Sequence, residues 1–464
     1  MPSAVDTLIT GGTLVTSDGL RPATVGIRDG RIAQLAAPEA HPPAARTIEA
    51  RGLHILPGII DTHVHTRHPG VPAREDFHSG TAAAAAGGIT TLIEMPIAKP
   101  SVHDARSLGD RAALCQETAL VDFALYGGAG HANVDAIAEQ AAAGAVGFKT
   151  FLQPPPADRE DEFLGLWCTD PATLRDVMAA VARTERPHCF HCEDAAMVAG
   201  LRDRLRAAGR RDGRAHAESR PPIVEDTSVA TVLALGAEAG AHVHVVHLSS
   251  PRAAQLIADA RRRGQTVTAE TCPHYLLLTA DALVEHGPFA TCNPALREAD
   301  DVDRLWPYLL DGTIDVIGSD HSPFLEDEKR AGDADIFLTP PGFPGLEVLL
   351  PLMLTAVHER RLELPRLAGL MAERAATLFQ LPGKGRLVEG ADADLVLVDL
   401  DASWTFDSSA CFSRARATMR VWEGRPMHGR VVSTLVRGTE VFRDGELLAP
   451  PGFGRFVRPP VAWA

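Results

Sequence analysis

Residues 59–65, IIDTHVH, form a short apolar run that ends in a pair of histidines. A helix-like segment, GTAAAAAGG (80–88), follows, and a second apolar run, TTLIEM (90–95), comes directly after it. Short apolar runs next to glycine are typical of buried strands, and strand–helix–strand alternation is typical of parallel sheets. The stretch 59–95 therefore predicts one βα unit and the strand of the next.

The same alternation continues along the middle of the chain. Eight apolar runs, each followed by a helix or by a loop and a helix, lie between Gly58 and Leu381. The other six runs are VDFALYG (121–127), AVGFKTF (145–151), HCFHCE (188–193), VHVVHL (243–248), TVTAETC (266–272) and DVIGSD (315–320). Eight units in roughly 320 residues predict an α/β fold, a (β/α)8 TIM barrel with insertions. An open doubly wound sheet is disfavoured, because no GxGxxG turn follows the first strand.

The two ends of the chain show a different pattern. Residues 4–36 and 390–448 alternate apolar and polar residues around Asp-Gly and Gly-Gly pairs. This alternation predicts short strands joined by hairpins, and we expect Gly11-Gly12 to separate two of them. We expect a small β-sandwich domain built from both termini. The expected domains are 1–56 and 385–464 for this unit, the latter including the C-terminal tail, and 57–384 for the barrel.

The net charge disfavours two classes of partner. The 464 residues include 45 Lys and Arg against 60 Asp and Glu, which gives a formal net charge of −15. Nucleic acid and anionic membranes are bound by faces rich in Lys and Arg, so we expect neither as a partner. No apolar run approaches the ~20 residues that span a bilayer.

The cysteines and the first residues indicate the compartment. Seven scattered cysteines in a chain of this size favour reduced thiols. The opening MPSAVDTLITGG has no basic region ahead of an apolar core, so we expect no signal peptide. The sequence thus predicts a cytoplasmic protein.

Polar residues at the ends of the barrel strands are the candidates for chemistry, because barrel enzymes place their active sites there. His63 and His65 are two residues apart and share one face of the first strand. Two imidazoles on one face suit a metal ion, since each offers one neutral nitrogen. Two histidines hydrogen-bonded in a polar core are the alternative.

Three further strands end in a polar residue of inward phase. His247 is in phase with Val243 and Val245, and His191 and Asp320 end their own strands. His242 and His244 have the opposite phase, and we expect them to be structural or to face outward. Cys189 and Cys192 form a CxxC without a second pair, which disfavours a zinc ribbon and favours packing roles.

Lys149 is the unusual member of this set. It follows Ala145 and Gly147 in phase, so its side chain should point into the barrel. A buried, unpaired ammonium is costly. Three hypotheses remain open: a neutral amine with a depressed pKa, a lysine carbamylated by CO₂ that bridges two metals, and a side chain that extends to the loop face.

Seven motifs, taken in order, resemble a known family. They are HVH (63–65), GGITTLIEMP (87–96), GFKTF (147–151), HCED (191–194), VHLSSP (246–251), ETCPHY (270–275) and GSDHSP (318–323). The set resembles the cyclic-amide branch of the amidohydrolase superfamily, which includes allantoinases, dihydroorotases, hydantoinases and dihydropyrimidinases. The resemblance covers nearly the whole chain, including the C-terminal run GRLVEGADADLVLVDL (385–400).

The resemblance implies a binuclear metal site. The implied ligands are His63, His65 and Asp320 for the first metal, His191 and His247 for the second, and N-carboxylated Lys149 as the bridge between them. Zinc is the first choice from the His-rich set. A hydroxide shared by the two metals would attack the ring carbonyl, and Asp320 would carry its proton to the leaving nitrogen. The resemblance further implies a small cyclic amide or ureide as substrate and a homo-oligomer, either a dimer or a tetramer.

Substrate residues point in different directions. Arg67 resembles the arginine that dihydroorotases use on the substrate carboxylate, with a salt-bridged loop arginine as the alternative. Asn293, in TCNPALR, resembles the asparagine of the dihydroorotase NPPLR loop, whose backbone meets the substrate ring. Against dihydroorotase, Ile97 stands where those enzymes have an asparagine. Against hydantoinases and dihydropyrimidinases, Pro154 stands where they have an oxyanion tyrosine, five residues beyond Lys149.

The motifs resemble allantoinase most closely, so we rank allantoin first. Two positions depart from allantoinase: Asn293-Pro294-Ala295 replaces Ser-Pro-Pro, and Ala98 replaces an asparagine. Dihydroorotase, hydantoinase or dihydropyrimidinase, and cyclic imide hydrolase remain alternatives. Two non-enzyme hypotheses are a homologue that kept the barrel without activity and a protein with structural zinc. All six ligand positions are filled, which disfavours the first, and a barrel-mouth His and carboxylate site is more open than structural zinc sites usually are.

Overall fold

The strands of the protein follow the predicted order. The structure, a computed structural model, describes residues 4–40, 42–156 and 159–460. Its strands are β1 (Val5–Thr16), β2 (Gly19–Arg28), β3 (Arg31–Ala36), β4 (Ala44–Glu49), β5 (His54–Pro57), β6 (Ile59–Val64), β7 (Ile89–Glu94), β8 (Asp122–Leu125), β9 (Gly127–Gly128), β10 (Phe148–Phe151), β11 (His188–His191), β12 (Val243–Val245), β13 (Val267–Thr271), β14 (Val316–Ile317), β15 (Leu395–Thr405), β16 (Pro426–Val436), β17 (Thr439–Arg443) and β18 (Glu446–Leu447).

Helices separate the strands of the middle region. They are α1 (Phe77–Ala86), α2 (Ala105–Thr118), α3 (Ile137–Ala143), α4 (Pro171–Ala182), α5 (Ala195–Ala207), α6 (Gly213–Glu218), α7 (Pro222–Ala239), α8 (Pro251–Arg262), α9 (Pro273–Leu277), α10 (Ala282–Glu285), α11 (Ala299–Asp311), α12 (Glu326–Arg330), α13 (Leu349–His358), α14 (Leu364–Ala368) and α15 (Arg374–Leu378). Asp or Ser side chains cap several of them; Asp76, for example, accepts a hydrogen bond from the backbone N–H of Ser79 at the start of α1. No helix in the described ranges is long and apolar enough to cross a membrane.

A parallel barrel forms from β6 to β14. Strands β6, β7 and β8 pair in parallel, and β9 to β14 pair in parallel in a second run. The two runs meet where the Val146 N–H donates to the Leu125 carbonyl at 3.0 Å and where the His65 N–H donates to the His321 carbonyl at 2.8 Å. Each of the eight predicted runs contributes one barrel strand, the third being divided into β8 and β9, so the barrel predicted from the sequence is confirmed.

The barrel strands are apolar on both faces, as parallel strands covered by helices must be. On the inner side, Tyr126, Cys189 and Val316 belong to a cluster that also contains Phe379, which lies just after α15. On the outer side, Phe148 and others pack in the larger core under the helices. The inner cluster leaves the carboxyl ends of the strands to the polar residues.

A nine-stranded sheet joins the two termini. Its order is β18-β17-β16-β15-β5-β1-β2-β3, with β4 paired to β1. The central pairing joins β5 to β15, where Ile55 lies opposite Leu397, and both side chains are in a separate apolar core. The β unit built from both ends of the chain is therefore present. We propose that the domain boundaries lie at 56/57 and 384/385.

Gly11-Gly12 does not separate two strands, and that expectation was wrong. Strand β1 runs through both glycines, with a shift of register between Ile9 and Gly12. Gly11 has a φ of 75°, which a residue without a Cβ adopts at little cost. The pair forms a bulge in one long strand.

Two segments of the chain lie partly outside the described residues. The proline-rich run 153–161 contains residues 157 and 158, which are not described, and continues into a 3₁₀ turn at Glu160–Phe163. The first three residues of the opening segment are also outside the described ranges.

Candidate metal centre

The six predicted ligands all lie at the carboxyl end of the barrel. Lys149 and His191 belong to β10 and β11, and His63 belongs to β6. His65, His247 and Asp320 follow their strands within three residues. All except Asp320 are buried, and the Asp320 side chain is only 12% exposed.

Three of the six converge in one group. The Nε2 atoms of His63 and His65 lie 3.3 Å and 3.4 Å from Oδ1 of Asp320. The three residues each present a ligand atom within 4.8 Å of the others. Two imidazoles and a carboxylate around one point form a donor set that zinc accepts.

His191 and His247 form a second group beside the first. Nδ1 of His191 lies 2.9 Å from Nε2 of His247. The ring centroids of His247 and His63 are 5.3 Å apart, which connects the two groups. Four imidazoles and one carboxylate thus surround a single space.

His247 reaches the site for a different reason than strand phase. Val243 and Val245, expected to line the barrel below it, pack in the outer core instead. His244, expected to be structural or outward-facing, has its ring 5.8 Å from Phe379 of the inner cluster and its Nδ1 2.8 Å from Thr268 Oγ1. The chain leaves β12 after Val245, and a φ of 41° at His247 reverses the phase. The assumed phase was therefore wrong, although the residue is at the site.

Lys149 is buried without a partner. Lys149 is 1% exposed, and its Nζ has no hydrogen-bond acceptor among the described residues. Burial is the main cause that lowers the pKa of the Lys149 amine. The ring of Phe151 lies 5.0 Å from Nζ. An amine without a partner among the described residues, placed between the predicted ligands, fits the predicted carboxylated lysine, because that modification replaces a cation with an anion.

The site is held in a form ready to bind a cation. Burial lowers the pKa of His65 and His247 well below the ordinary value, so these imidazoles are neutral near pH 7. Burial alone would raise the pKa of Asp320, but the surrounding imidazoles, His63 foremost, hold it well below its usual range. Neutral histidines and an ionised carboxylate are the protonation states that metal binding needs.

Three residues of the site have a strained backbone. Arg67, His247 and Asp320 have φ values of 63°, 41° and 48°, in the left-handed region that residues with a Cβ seldom adopt. Such strain persists where the surrounding structure fixes it, and it is typical of functional sites.

Comparison with known proteins identifies the family. The model of the amidohydrolase family matches residues 54–441 of this chain. The chain belongs to the amidohydrolase family. Among its relatives, an allantoinase from Rubrobacter xylanophilus is 40% identical over 459 residues, with 98% of each chain covered. A dihydroorotase from Methanothermobacter thermautotrophicus is 37% identical over 433 residues, with 93% of each chain covered.

A solved amidohydrolase structure confirms the architecture. The L-hydantoinase (dihydropyrimidinase) from Arthrobacter aurescens is 35% identical and matches with a TM-score of 0.93, over 98% of this chain and 100% of that one. The fold of this amidohydrolase is therefore a TIM barrel with a β-sandwich domain, as the sequence predicted.

Arg67, the first predicted substrate residue of this amidohydrolase, lies at the mouth of the barrel. It is 7% exposed; its Nη2 donates to Ser322 Oγ at 2.8 Å, and its guanidinium lies 5.0 Å from the Phe324 ring. Its Nε and Nη1 have no hydrogen-bond acceptor among the described residues, and Glu162 is 3.9 Å from Nη1. Burial lowers the pKa of Arg67 to about 9. The guanidinium is thus a cation with two nitrogens that can still donate hydrogen bonds to a ligand.

Asn293, the second predicted substrate residue, is partly buried. Its Oδ1 is shielded from solvent and accepts no hydrogen bond from a described residue. Ile97 and Ala98, where dihydroorotases and allantoinases are expected to have an asparagine, are buried. Pro154 is exposed.

Sequence reasoning missed three charged residues behind the ligands. Glu270 Oε1 lies 2.7 Å from His63 Nδ1, and Glu193 Oε2 lies 2.8 Å from His191 Nε2. Arg220 in turn forms an ion pair with Glu193. Glu193 and Glu270 occur within the HCED and ETCPHY motifs, so a signal was present, but no local pattern indicates which ring each carboxylate meets.

Proposed function

We propose that the protein is a metal-dependent cyclic amidohydrolase and that allantoin is the first substrate to test. The observation that carries the proposal is the convergence of four imidazoles, an ionised carboxylate and an unpaired buried lysine at the mouth of the barrel. Such costly groups occur together mainly where they function. The allantoinase relative, similar over 98% of both chains, supports the choice of substrate.

In this proposal the six residues hold two divalent ions. His63, His65 and Asp320 would bind one ion, and His191 and His247 the other. Lys149, N-carboxylated, would bridge them. Zinc suits a set rich in imidazole, and availability would decide among similar ions.

The residues of the chain divide the work of ring opening. Divalent ions held by these residues would supply a nucleophile derived from water near neutral pH and would polarise the ring carbonyl. Asp320, whose pKa is held low, is a carboxylate that accepts the proton of the attacking water. It then delivers that proton to the ring nitrogen as the C–N bond breaks, so that the product is a carboxylate with a ureido or amide group. The guanidinium N–H donors of Arg67 and the Oδ1 acceptor of Asn293 would hold the ring in place.

Dihydroorotase is the second candidate, and Arg67 is the observation in its favour. Its two unpaired nitrogens and low exposure suit a ligand carboxylate. The dihydroorotase relative agrees with this possibility. Buried Ile97 argues against it, because it offers no hydrogen bond where we expect dihydroorotases to have an amide.

The test is a panel of cyclic amides. Zinc-loaded protein is assayed with allantoin, dihydroorotate, hydantoin, dihydrouracil and succinimide, before and after removal of metal with a chelator. We expect metal-dependent hydrolysis with the highest kcat/KM on allantoin. His247→Ala, checked for folding by circular dichroism, serves as the inactive control. Preference for dihydroorotate with allantoin inert would overturn the ranking, and no metal-dependent turnover of any ring would overturn the proposed activity.

We propose also that the protein acts in the cytoplasm as a homo-oligomer, a dimer or a tetramer. The free thiols of the seven cysteines support a reducing compartment. Size-exclusion chromatography with light scattering gives the oligomeric state directly.

A further inference from the structure

Each histidine pair of the site contains one ring that is bonded to a buried carboxylate and one that is not. In the first pair, His63 Nδ1 lies 2.7 Å from Glu270 Oε1, whereas His65 Nδ1 is buried without a partner among the described residues. In the second pair, His191 Nε2 lies 2.8 Å from Glu193 Oε2, whereas His247 Nδ1 is likewise unpaired. The two carboxylates are thus distributed one to each pair.

Both carboxylates are themselves fixed in place. Glu270 is fully buried; its Oε2 accepts from the Thr62 hydroxyl, and its Oε1 also accepts from the His247 backbone N–H at 3.3 Å. Glu193 is fully buried as well and is paired with Arg220. A carboxylate held by other donors orients the ring it contacts and is not free to move into the site as a ligand.

The hydrogen bonds set which ring nitrogen keeps its lone pair. A carboxylate accepts a hydrogen bond from the nitrogen it faces, so His63 carries its proton on Nδ1 and presents Nε2, which lies 3.3 Å from Asp320 Oδ1. His191 carries its proton on Nε2 and presents Nδ1, which lies 2.9 Å from His247 Nε2. The two rings use opposite nitrogens, yet both lone pairs face the other predicted ligands.

We propose that Glu270 and Glu193 are positioning residues, one for each metal of the centre. The inference rests on the proposed two-metal site, and it adds that each metal depends on a particular buried carboxylate outside the ligand set. A carboxylate behind a histidine ligand fixes its tautomer and raises its basicity, and its loss typically lowers metal affinity 10–100-fold.

The experiment compares glutamine variants in a metal titration. Glu270→Gln and Glu193→Gln keep a hydrogen-bond acceptor of the same size and remove the charge. Glu225→Gln is the matched control: Glu225 is also buried, but it bonds to Arg297 and to the Ser249 backbone N–H, each at 2.9 Å, and to no ligand ring. Each purified protein is stripped with a chelator and titrated with Zn²⁺ against a chelating indicator, and Co²⁺ absorption spectra are recorded.

We expect each of the two variants to lower the affinity of one binding step by about 10–100-fold and to alter the Co²⁺ spectrum, and the double variant to weaken both steps. Glu225→Gln should match the wild type in both measurements. If Glu270→Gln does not fold, Thr62→Val replaces it, since it removes the donor that fixes Glu270, and a smaller loss of affinity in the same step is expected.

The outcomes separate this inference from the proposed function. Wild-type protein that binds no metal tightly would contradict the proposed function itself. Wild-type protein that binds two ions, together with unchanged affinities in both glutamine variants, would overturn the positioning role alone. Equal weakening in Glu225→Gln would also overturn it, because the effect would then follow from loss of any buried carboxylate.

Discussion

Two lysines are buried at opposite ends of the same barrel, and their surroundings differ completely. Lys384 lies near the amino end of β8, where its Nζ is 2.8 Å from Asp394 Oδ2, 3.1 Å from Asp392 Oδ2 and within hydrogen-bond distance of Asp122. Lys149 lies at the carboxyl end, and its Nζ has no acceptor among the described residues. The first lysine already has its counter-charges, whereas the second has no hydrogen-bond acceptor in the part of the chain that the structure describes.

The difference separates a structural cluster from a functional one. The three aspartates around Lys384 also have the spacing of a metal site, but a lysine occupies the space between them, and Arg437 pairs with Asp122 as well. This network links the barrel to the terminal sheet. At the other end, imidazoles surround an amine that has no hydrogen-bond partner among the described residues, and burying such an amine unpaired is costly. Residue type alone would not distinguish the two clusters.

Removing Lys149 tests the cluster at the carboxyl end of the barrel and should have the largest effect. Lys149→Ala should lose bound metal and lower kcat by about 10³-fold or more, because the proposed bridge is gone. Short carboxylic acids should restore part of the activity by entering the vacated space. Metal content and activity are measured with and without acetate or propionate.

Lys149→Arg is the matched control, since it retains a cation that CO₂ does not modify, and we expect it to be inactive. Electron density showing a bare amine in a fully metallated, active enzyme would refute the carboxylated lysine.

Removing Lys384 tests the cluster near the amino end of β8. Lys384→Met leaves buried aspartates without their cation, and breaking such a network costs about 3–5 kcal/mol of unfolding free energy. Denaturant unfolding of the metal-free protein measures the loss. Metal content of the folded variant should stay at the wild-type level. A loss of metal with unchanged stability would contradict a structural role for the Lys384 cluster.

Part of the arrangement at the barrel mouth could be predicted because strands have a period of two. Lys149 was placed on the inner face by that period, and the shared face of His63 and His65 follows from the same rule. His247 shows its limit: the residue is at the site, but a left-handed backbone conformation reverses the phase that the spacing suggested. A single φ angle of this kind leaves no mark on the hydrophobic pattern.

Other features were beyond local sequence because they depend on contacts across the fold. The bond between His63 and Glu270 joins residues 207 positions apart. The cluster around Lys384 likewise unites a barrel strand with the start of the terminal sheet, and each aspartate taken alone looks like a surface residue. Gly11-Gly12 was misjudged because glycine pairs serve both turns and bulges.

Arg67 is a second buried cation at the carboxyl end of the barrel, and only some of its N–H donors have an acceptor among the described residues. If its free donors hold a substrate carboxylate, Arg67→Met should lower kcat/KM for dihydroorotate by about 10–100-fold and leave uncharged rings nearly unchanged. Arg74→Met is the control, because Arg74 also lies 5.0 Å from the Phe324 ring but is bonded to Glu328 at 2.9 Å. Equal losses on charged and uncharged rings would show that Arg67 only supports the loop.

His216 is a buried imidazole that stays neutral in the folded chain, and it gives the smallest expected effect, a change of stability with pH. Its Nε2 donates to the Cys292 carbonyl at 3.0 Å, and burial, with a smaller effect of Arg220, lowers its pKa to about 4. The unfolded chain binds the proton near pH 6.5 and the folded chain only near pH 4, so stability is present above pH 6.5 and is lost as the pH falls through this window. Between pH 7 and pH 5 the loss is about 2 kcal/mol.

His216→Gln removes this titration and keeps an amide donor. Denaturant unfolding of metal-free protein at pH 7 and pH 5 should show a drop in stability that is smaller in the variant by that amount. An identical drop in both proteins would contradict a neutral His216.

Elemental analysis of freshly purified protein tests the central claim most directly. Six donors are too many for one tetrahedral ion, so we expect two divalent metal ions per chain, with zinc the first choice, and a proportional fall in hydrolysis of cyclic amides as a chelator removes them. One ion or fewer per chain, even after supplementation with zinc and bicarbonate, would contradict the two-metal centre.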